Sequence, residues 1–247
     1  MQVFNWTAMA GFIFLLSQTS AVHAAEVAAQ KKAAPAATSH EDDPHLPRVL
    51  LIGDSISIGY TPFVHELLAK QANVHHPSDN CGPTIRGIEK LDRWLGDKPW
   101  DVIHFNFGLH DMKYVAPEDG DPNTPNGHQQ VPLPQYEANL RKLVARLKKT
   151  GATLIWCTTT PVPPEGTNNR VADDVVQYNQ AALRVMQEND IAVNDLYAFA
   201  KPRLSEIQKP RNVHYTEAGY RKLAGQVAIA IEAALARRQH ASSQKPR

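Results

Sequence analysis

A serine and a histidine, far apart along the chain, stand at positions where chemistry is commonly done. Ser55 follows the apolar run 49–52 in a Gly-Asp-Ser turn, and His214 directly precedes the last helical segment. A serine hydroxyl is a weak nucleophile at neutral pH, and an adjacent imidazole activates it by taking its proton. If folding brings the two side chains together, the imidazole could activate the hydroxyl for nucleophilic attack.

Each of the two residues also has a structural interpretation. Ser55 could simply cap the helix that follows the turn. The chain contains 11 histidines, so His214 could be an ordinary, partly exposed loop residue. In parallel α/β sheets, however, ligands bind outside the carboxyl ends of the strands. The choice between the two interpretations therefore depends on the fold.

Strands alternate with helices along most of the chain. Continuous apolar runs such as 49–52 are typical of strands covered on both faces, as in parallel sheets. The pattern predicts strands at 48–52, 73–76, 101–107, 152–159 and 191–194, and helices at 61–72, 84–95, 135–149, 173–188 and 216–238. Such alternation builds right-handed βαβ units. We predict an α/β fold, a three-layer α/β/α sandwich whose five-stranded parallel sheet has the flavodoxin-like order 2-1-3-4-5.

That strand order makes neighbours of two polar turns. The turn containing Ser55 follows the first strand, and the turn Gly108-Leu109-His110-Asp111 follows the third. The switch point of the sheet lies between these two strands. Residues 112–134 come next and are rich in proline, which predicts a long loop beside the same edge. In the helix at 84–95, one side carries the apolar residues Ile85, Ile88, Leu91 and Leu95.

The two ends of the chain differ in composition from the centre. Residues 1–24 contain an apolar stretch too short to span a bilayer comfortably, followed by Val-His-Ala, which predicts a signal peptide cleaved after Ala24. The segment before the stretch lacks Lys and Arg, so an uncleaved anchor is the competing interpretation. We expect a periplasmic or secreted protein without stable membrane insertion after cleavage. Residues 25–46 predict a flexible linker, 47–238 the folded domain and 239–247 a polar tail.

Composition excludes several classes of protein. The formal net charge is +1 and no basic cluster coincides with aromatic residues, so we expect no nucleic-acid partner. No phosphate-binding or dinucleotide-binding glycine motif follows the first strand. Cys157 lies in one predicted strand and Cys81 lies just past another. These two strands are three spacings apart in the predicted sheet, so we expect the cysteines to be unpaired.

Four short blocks, in order along the chain, resemble those of the GDSL or SGNH hydrolase superfamily. They are Gly53-Asp54-Ser55-Ile56, the glycine of Asn80-Cys81-Gly82, Gly108-Leu109-His110-Asp111, and His214. The third block resembles that of a bacterial branch with Gly-Leu-His-Asp, and the resemblance spans about 48–238. It implies a serine hydrolase of small-molecule or carbohydrate esters, on a three-layer α/β/α fold, with no metal and no other cofactor.

The resemblance also implies a role for each matching residue. Ser55 would be the nucleophile, and His214 the base that takes its proton. The backbone N–H groups of Ser55 and Gly82, with the side chain of His110, would form the oxyanion hole, the set of donors that binds the negative oxygen of the transition state. The family normally has Asn where this chain has His110, and a neutral imidazole still offers one N–H donor.

A second departure concerns the partner of the histidine. The family pattern is Asp-x-x-His, whereas the residue three before His214 is Arg211 and the nearest polar candidate is Asn212. An amide can orient the imidazole but cannot stabilise the imidazolium as a carboxylate does, and in serine proteases an Asp to Asn change lowers turnover about 10⁴-fold. Asp190 and Asp195 flank the fifth strand and are further acids that could reach His214, whereas we expect Asp54 and Asp111 to bind turn amides.

Two hypotheses follow. The first is an exported esterase that removes a small acyl group, such as acetyl, with a carbohydrate as one candidate alcohol and Ser55, His214 and Asn212 as the catalytic residues. The second, motivated by the missing acid, is a weak or inactive protein of the same fold that binds glycans or other cell-envelope ligands.

Overall fold

The computed structural model describes residues 42–116, 127–167 and 169–243. The predicted signal peptide, most of the predicted linker, the middle of the predicted 112–134 loop and the last four residues lie outside this part of the chain.

The end of the predicted linker is attached to the folded domain. The carboxylate of Asp42 pairs with Arg48 Nε at 2.7 Å and with His75 Nε2 at 2.8 Å. The N–H of Asp43 donates to Asn73 Oδ1 at 3.0 Å. The prediction of a linker up to residue 46 was therefore wrong for 42–46, because the Asp42–Arg48 ion pair and hydrogen bonds to His75 and Asn73 fix this short, largely polar segment.

The strands form one large sheet and one short ribbon. In chain order, the described residues form β1 (Arg48–Ile52), β2 (Asn73–His75), β3 (Val102–Phe105), β4 (Tyr114–Val115), β5 (His128–Gln129), β6 (Thr153–Cys157) and β7 (Ala192–Asn194). The large sheet has the order β2-β1-β3-β6-β7, and all its strands are parallel. Counted over the strands of this sheet, the predicted order 2-1-3-4-5 is confirmed. The strands β4 and β5 pair antiparallel within the region predicted as a loop.

Helices cover the sheet in two layers. They are α1 (Ser55–Leu68), α2 (Thr84–Leu95), α3 (Leu133–Lys148), α4 (Ala172–Gln187), α5 (Leu196–Ala200), α6 (Leu204–Ile207) and α7 (Glu217–Ser243). The long helix α7 packs against α1 and contacts β3, β6 and β7, whereas α2, α3 and α4 pack side by side. The α/β fold class with a three-layer arrangement is thus confirmed. None of the helices in the described residues is long and apolar enough to cross a membrane.

Several predicted element boundaries were wrong. The first helix begins at Ser55 and not at residue 61, because Asp54 caps it and the helix runs through both Gly59 and Pro62. The last helix continues to Ser243, beyond its predicted end at 238. Helix α3 begins at Leu133, inside the predicted loop.

The buried face of α2 also differs from the apolar side read in the sequence. Leu91 and Leu95 are buried as expected, but Ile85 and Ile88 are 37% and 42% exposed. The helix turns Gly87 toward the sheet, where an added Cβ would lie 2.8 Å from the ring of Phe107. Close packing at this glycine fixes the rotation of the helix and leaves the two isoleucines outside.

Both cysteines are free. Cys81 and Cys157 are buried and form no disulfide. The prediction that they do not pair is confirmed, since β1 and β3 separate the strand that precedes Cys81 from the strand that contains Cys157.

The contact between α1 and α7 depends on Gly59. A Cβ built on Gly59 would lie 2.3 Å from the Tyr220 ring of α7. We expect Gly59→Ala to lower the free energy of unfolding by about 1–3 kcal/mol through overpacking, although alanine is the better helix former. Urea unfolding measures the change.

Gly225→Ala is the matched control for that substitution. Gly225 also lies in a helix, and a Cβ added there meets nothing within 4 Å. Its replacement should be neutral or stabilise the protein by about 0.5–1 kcal/mol. Equal changes in the two variants would contradict the packing argument.

Candidate active site

Ser55 sits where β1 passes into α1. The strand ends at Ile52, and the side chain of Asp54 accepts a hydrogen bond from the Ile56 N–H at 2.9 Å, which starts the helix at Ser55. The hydroxyl therefore lies at the carboxyl end of a central strand and at a helix N-terminus, where the helix dipole favours negative charge. This is the location predicted for Ser55 from the sheet order.

His214 is carried by a tight hairpin before α7. The Lys209 N–H donates to the His214 carbonyl at 2.9 Å, and the Thr216 N–H donates to the Ile207 carbonyl at 2.9 Å. Thr216 Oγ1 then accepts from the Gly219 N–H at 3.0 Å and caps the helix. Hydrogen bonds on both sides of His214 thus hold its backbone in place at the mouth of the site.

Ser55, His214 and Asn212 form a hydrogen-bonded chain. Ser55 Oγ lies 2.9 Å from His214 Nε2, and His214 Nδ1 lies 2.7 Å from Asn212 Oδ1. The backbone N–H of His214 donates to the same Asn212 oxygen at 3.0 Å. Folding therefore brings together an alcohol and an imidazole that are 159 residues apart.

The shared Asn212 oxygen fixes the tautomer of His214. A backbone N–H only donates, so the Asn212 atom that it contacts is the carbonyl oxygen and not the amide nitrogen. The same oxygen can only accept from the imidazole, so Nδ1 carries the proton. Nε2 then has the free lone pair, which faces Ser55. The arrangement can take the hydroxyl proton of Ser55 without any change of tautomer.

A cavity of about 350 Å³ opens beside this chain of hydrogen bonds. The predicted site residues Ser55, His110 and His214 all line it, together with Asp54. The remaining lining residues are Asn80, Lys113, Asn169 and Arg170, which are polar, and Leu109 and Val213, which are apolar. The turn after β3 therefore meets the turn after β1, as the strand order predicts. Asn212 lies behind the imidazole and does not line the cavity.

Two of the three residues predicted to supply oxyanion donors line the cavity, and the third does not. Burial lowers the pKa of His110, which lines the cavity, so its imidazole is neutral at pH 7 and has one N–H donor. Gly82 has a φ of +62° and does not line the cavity. Its N–H donates to Asn80 Oδ1 at 2.9 Å, and it is Asn80 that lines the cavity. Ser55 and His110 are thus brought to the cavity, and Gly82 lies one hydrogen bond behind it.

Acidic residues near the site have other partners. Asp111 is buried and accepts hydrogen bonds from the N–H and the hydroxyl of Thr84, while burial raises its pKa to about 7. Asp195 accepts from the Thr158 hydroxyl at 2.8 Å and caps α5. Asp54 and Asp111 thus bind turn amides, as expected. The proposal that Asp195 or Asp190 reaches His214 was wrong, since its Nδ1 is bonded to Asn212.

Sequence reasoning missed Asn80, Lys113 and Arg170. Asn80 had a usable signal, because Asn two residues before a glycine commonly accepts a turn hydrogen bond. Lys113 and Arg170 had none, since they come from two loops that meet only in the folded protein. Within residues 42–116, 127–167 and 169–243, no three His, Cys, Asp or Glu side chains come together as a metal site requires.

Solved structures with the same fold include esterases and acylhydrolases. A lipase/acylhydrolase from Enterococcus faecalis is 17% identical with a TM-score of 0.63, and the match covers 76% of this chain and 96% of that one. An acetylxylan esterase from Geobacillus stearothermophilus is 20% identical with a TM-score of 0.58, and coverage is 73% and 92%. Another acetyl xylan esterase is 17% identical with a TM-score of 0.59, and coverage is 74% and 99%. At these identities the likeness establishes the fold.

The family follows from the sequence itself. No protein of curated function matches the chain. The model of the GDSL-like lipase/acylhydrolase family matches residues 51–222, which include Ser55, Gly82, His110 and His214. The match covers well over half of the chain, and the four blocks lie within it. The chain is therefore an ester-hydrolysing enzyme of the GDSL-like lipase/acylhydrolase family.

Proposed function

We propose that this protein is an exported serine esterase that removes a small acyl group, such as acetyl, from a carbohydrate through an acyl-enzyme on Ser55. The observation that carries the proposal is the unbroken hydrogen-bonded chain from Ser55 through His214 to Asn212, in the tautomer that general-base catalysis needs.

The proposed reaction has two steps. In the first, His214 Nε2 takes the hydroxyl proton while Ser55 Oγ attacks the carbonyl carbon of the ester. The imidazolium then gives this proton to the leaving alcohol oxygen, and the acyl group stays on Ser55. In the second step, His214 takes a proton from water, whose oxygen attacks the acyl carbon. Return of the proton to Oγ releases the carboxylic acid.

Donors at the cavity support stabilisation of the tetrahedral intermediate. The Ser55 N–H is at the first position of α1, where backbone N–H groups have no partner within the helix. The neutral His110 ring offers a second donor, in place of the asparagine of the family pattern. Removing one such donor typically costs about 10²- to 10³-fold in turnover. The Gly82 N–H becomes a third donor only when substrate displaces Asn80 Oδ1 from it.

The character of the cavity supports a small acyl group. Its volume of about 350 Å³ lies at the lower end of the range for ligand sites, and Leu109 and Val213 are its only apolar lining residues in the described part of the chain. A long acyl chain needs a continuous apolar surface, which this lining does not offer. The acetyl and carbohydrate parts are also supported by analogy, since two proteins of the same fold are acetyl xylan esterases.

The substrate proposal is tested with the purified protein on two series of esters. With p-nitrophenyl acetate, butanoate and octanoate, we expect kcat/KM to fall by about tenfold or more from acetate to octanoate, because the longer chain finds no apolar pocket. With acetylated and butyrylated oligosaccharides, release of acetate should be faster than release of butanoate. Preference for the octanoate ester would contradict a small acyl group, and absence of acetate release from every oligosaccharide would contradict a carbohydrate alcohol.

Export is supported by residues 1–24, whose apolar stretch and Val-His-Ala end are typical of a cleaved signal peptide.

A ligand-binding protein without turnover is the competing proposal. It was motivated by the absent acid, and the orientation of the imidazole by Asn212 argues against it.

The pH dependence should follow the ionisation of His214. Burial lowers the pKa of His214 below its usual 6.5, Asp54 opposes this shift, and Lys209 and Arg170 reinforce it. A protonated imidazole cannot accept the Ser55 proton, so kcat/KM should fall as pH falls through this lowered pKa and should be constant near pH 7. A profile of kcat/KM for p-nitrophenyl acetate between pH 4 and 8 measures the midpoint, and a midpoint above 6.5 would contradict the assignment.

A further inference from the structure

Among the described residues that line the catalytic cavity, positive charges outnumber negative ones. Lys113 and Arg170 line it, and Asp54 is the one carboxylate among its described lining residues. The Asp54 carboxylate accepts the Ile56 N–H and caps α1, so the positive end of the helix dipole offsets part of its charge. Among the described lining residues, the cavity therefore has two cations, of which Arg170 interacts electrostatically with Asp54, and one anion.

The third member of the hydrogen-bonded chain adds to this imbalance. The family pattern places an aspartate behind the histidine, and here Asn212 takes its place and brings no charge. The site thus has one negative charge fewer than the family pattern implies. An anionic substrate, which a buried carboxylate beside the imidazole would repel, meets no such repulsion from Asn212.

The two cations are positioned to act on a ligand. Arg170 Nε donates to the Leu109 carbonyl, which holds the guanidinium at the wall of the cavity. Lys113 is partly buried, and its ammonium group forms no hydrogen bond or ion pair with the described residues. A partly buried ammonium group with no acidic partner among the described residues can pair with an acidic group of the substrate.

A neighbouring cavity has a different balance of charged lining residues. It has a volume of about 370 Å³, shares Asn169 and Arg170 with the catalytic cavity and contains Glu165. Glu165 lies in the loop after β6 and does not line the catalytic cavity. Among the described residues, this neighbouring cavity has one cation, Arg170, and one anion, Glu165, whereas the catalytic cavity has two cations and one anion.

We infer that the natural substrate is an anionic ester, one that carries a carboxylate in its acyl or its alcohol half and binds it against Lys113 and Arg170. The inference rests on the proposed esterase function. It selects among esters by charge, and it explains why this site combines a cationic lining with a neutral residue behind the histidine.

Two matched pairs of esters test the inference on the full-length protein. For the acyl half, the pair is the p-nitrophenyl monoester of fumaric acid, which is anionic, and its neutral methyl ester. For the alcohol half, the pair is para-acetoxybenzoate and its neutral methyl ester. Each kcat/KM is divided by the hydroxide-catalysed rate of the same ester, so that intrinsic reactivity cancels. In at least one pair, we expect the normalised kcat/KM to be about tenfold higher for the anionic ester than for the neutral one. Added salt should reduce this ratio.

A substitution then assigns the preference to the cavity. Lys113→Gln should reduce the ratio of anionic to neutral kcat/KM by about threefold, as loss of one partly exposed charge pair does. Lys142→Gln is the matched control, because Lys142 is an exposed lysine of α3 that does not line the cavity. The control should leave the ratio unchanged.

Failure of the inference is distinguishable from failure of the proposed function. If both members of each pair are hydrolysed and the neutral one is equal or better, or if Lys113→Gln leaves the preference intact, the inference is wrong and the esterase function stands. If the protein hydrolyses none of the four esters, the proposed function fails and the inference fails with it.

Discussion

The Ser55→Ala protein is expected to hydrolyse p-nitrophenyl acetate about 10⁴- to 10⁶-fold more slowly than the parent. Ser55 Oγ lies 2.9 Å from His214 Nε2, and without it no acyl-enzyme can form. The slow rate that remains would come from binding and from the oxyanion donors, as in other serine hydrolases without their nucleophile. Steady-state kinetics at pH 8 measure the loss.

Non-additivity provides a sharper form of this prediction. His214→Ala should cost about as much as Ser55→Ala, and the double variant should lose little more than either single one. Residues that act as one unit in catalysis show this behaviour, whereas independent contributions would multiply. A double variant much slower than both single variants would mean that the two residues act separately.

Ser57→Ala is the control for loss of a nearby hydroxyl. Ser57 lies two residues further along α1, is buried, and does not line the catalytic cavity. Its replacement should change kcat/KM by less than about threefold, since this hydroxyl does not reach the substrate. If Ser55→Ala retained the parent rate, or if Ser57→Ala lost it, the nucleophile would be wrongly assigned.

Substitutions of Asn212 should have the next largest effects. Asn212→Ala removes the oxygen that accepts from both His214 Nδ1 and the His214 backbone N–H. The imidazole then loses the hydrogen bond that fixes its tautomer, and we expect kcat to fall by about 10²- to 10⁴-fold. The thermal unfolding midpoint of the variant, measured alongside, separates this loss from damage to the hairpin.

Asn212→Asp tests what the neutral amide costs. A carboxylate in the same place would still accept from Nδ1 and would also stabilise the imidazolium, so kcat/KM at pH 8 should rise. It should also raise the pKa of His214 and move the acid limb of the profile to higher pH. A decrease in rate with no movement of the acid limb would show that Asn212 does not contact the imidazole during catalysis.

The fold was predictable from local patterns. The apolar run of β1 and the alternation of strands and helices were sufficient for the parallel sheet and its order, because handedness and crossover rules leave few alternatives. The location of Ser55 was predictable for the same reason, since it follows β1 at the ligand-binding edge, and His214 stood out because it directly precedes the last helix.

What the sequence could not predict depends on contacts between distant segments. The predicted helix at 61–72 begins six residues too late. The helix α1 runs through Gly59 and Pro62, because the cap at Asp54 and the packing of Gly59 on Tyr220 outweigh their low helix propensity. Lys113 and Arg170 enter the cavity from loops whose paths are set by tertiary hydrogen bonds.

Labelling with a fluorophosphonate, followed by peptide mapping, tests the assignment of the nucleophile most directly. This reagent reacts with a serine only when a neighbouring base activates its hydroxyl. We expect one adduct per chain, on Ser55, and no adduct in the His214→Ala protein. An adduct on another residue, or a protein that hydrolyses esters yet takes up no label, would contradict a mechanism built on Ser55 and His214.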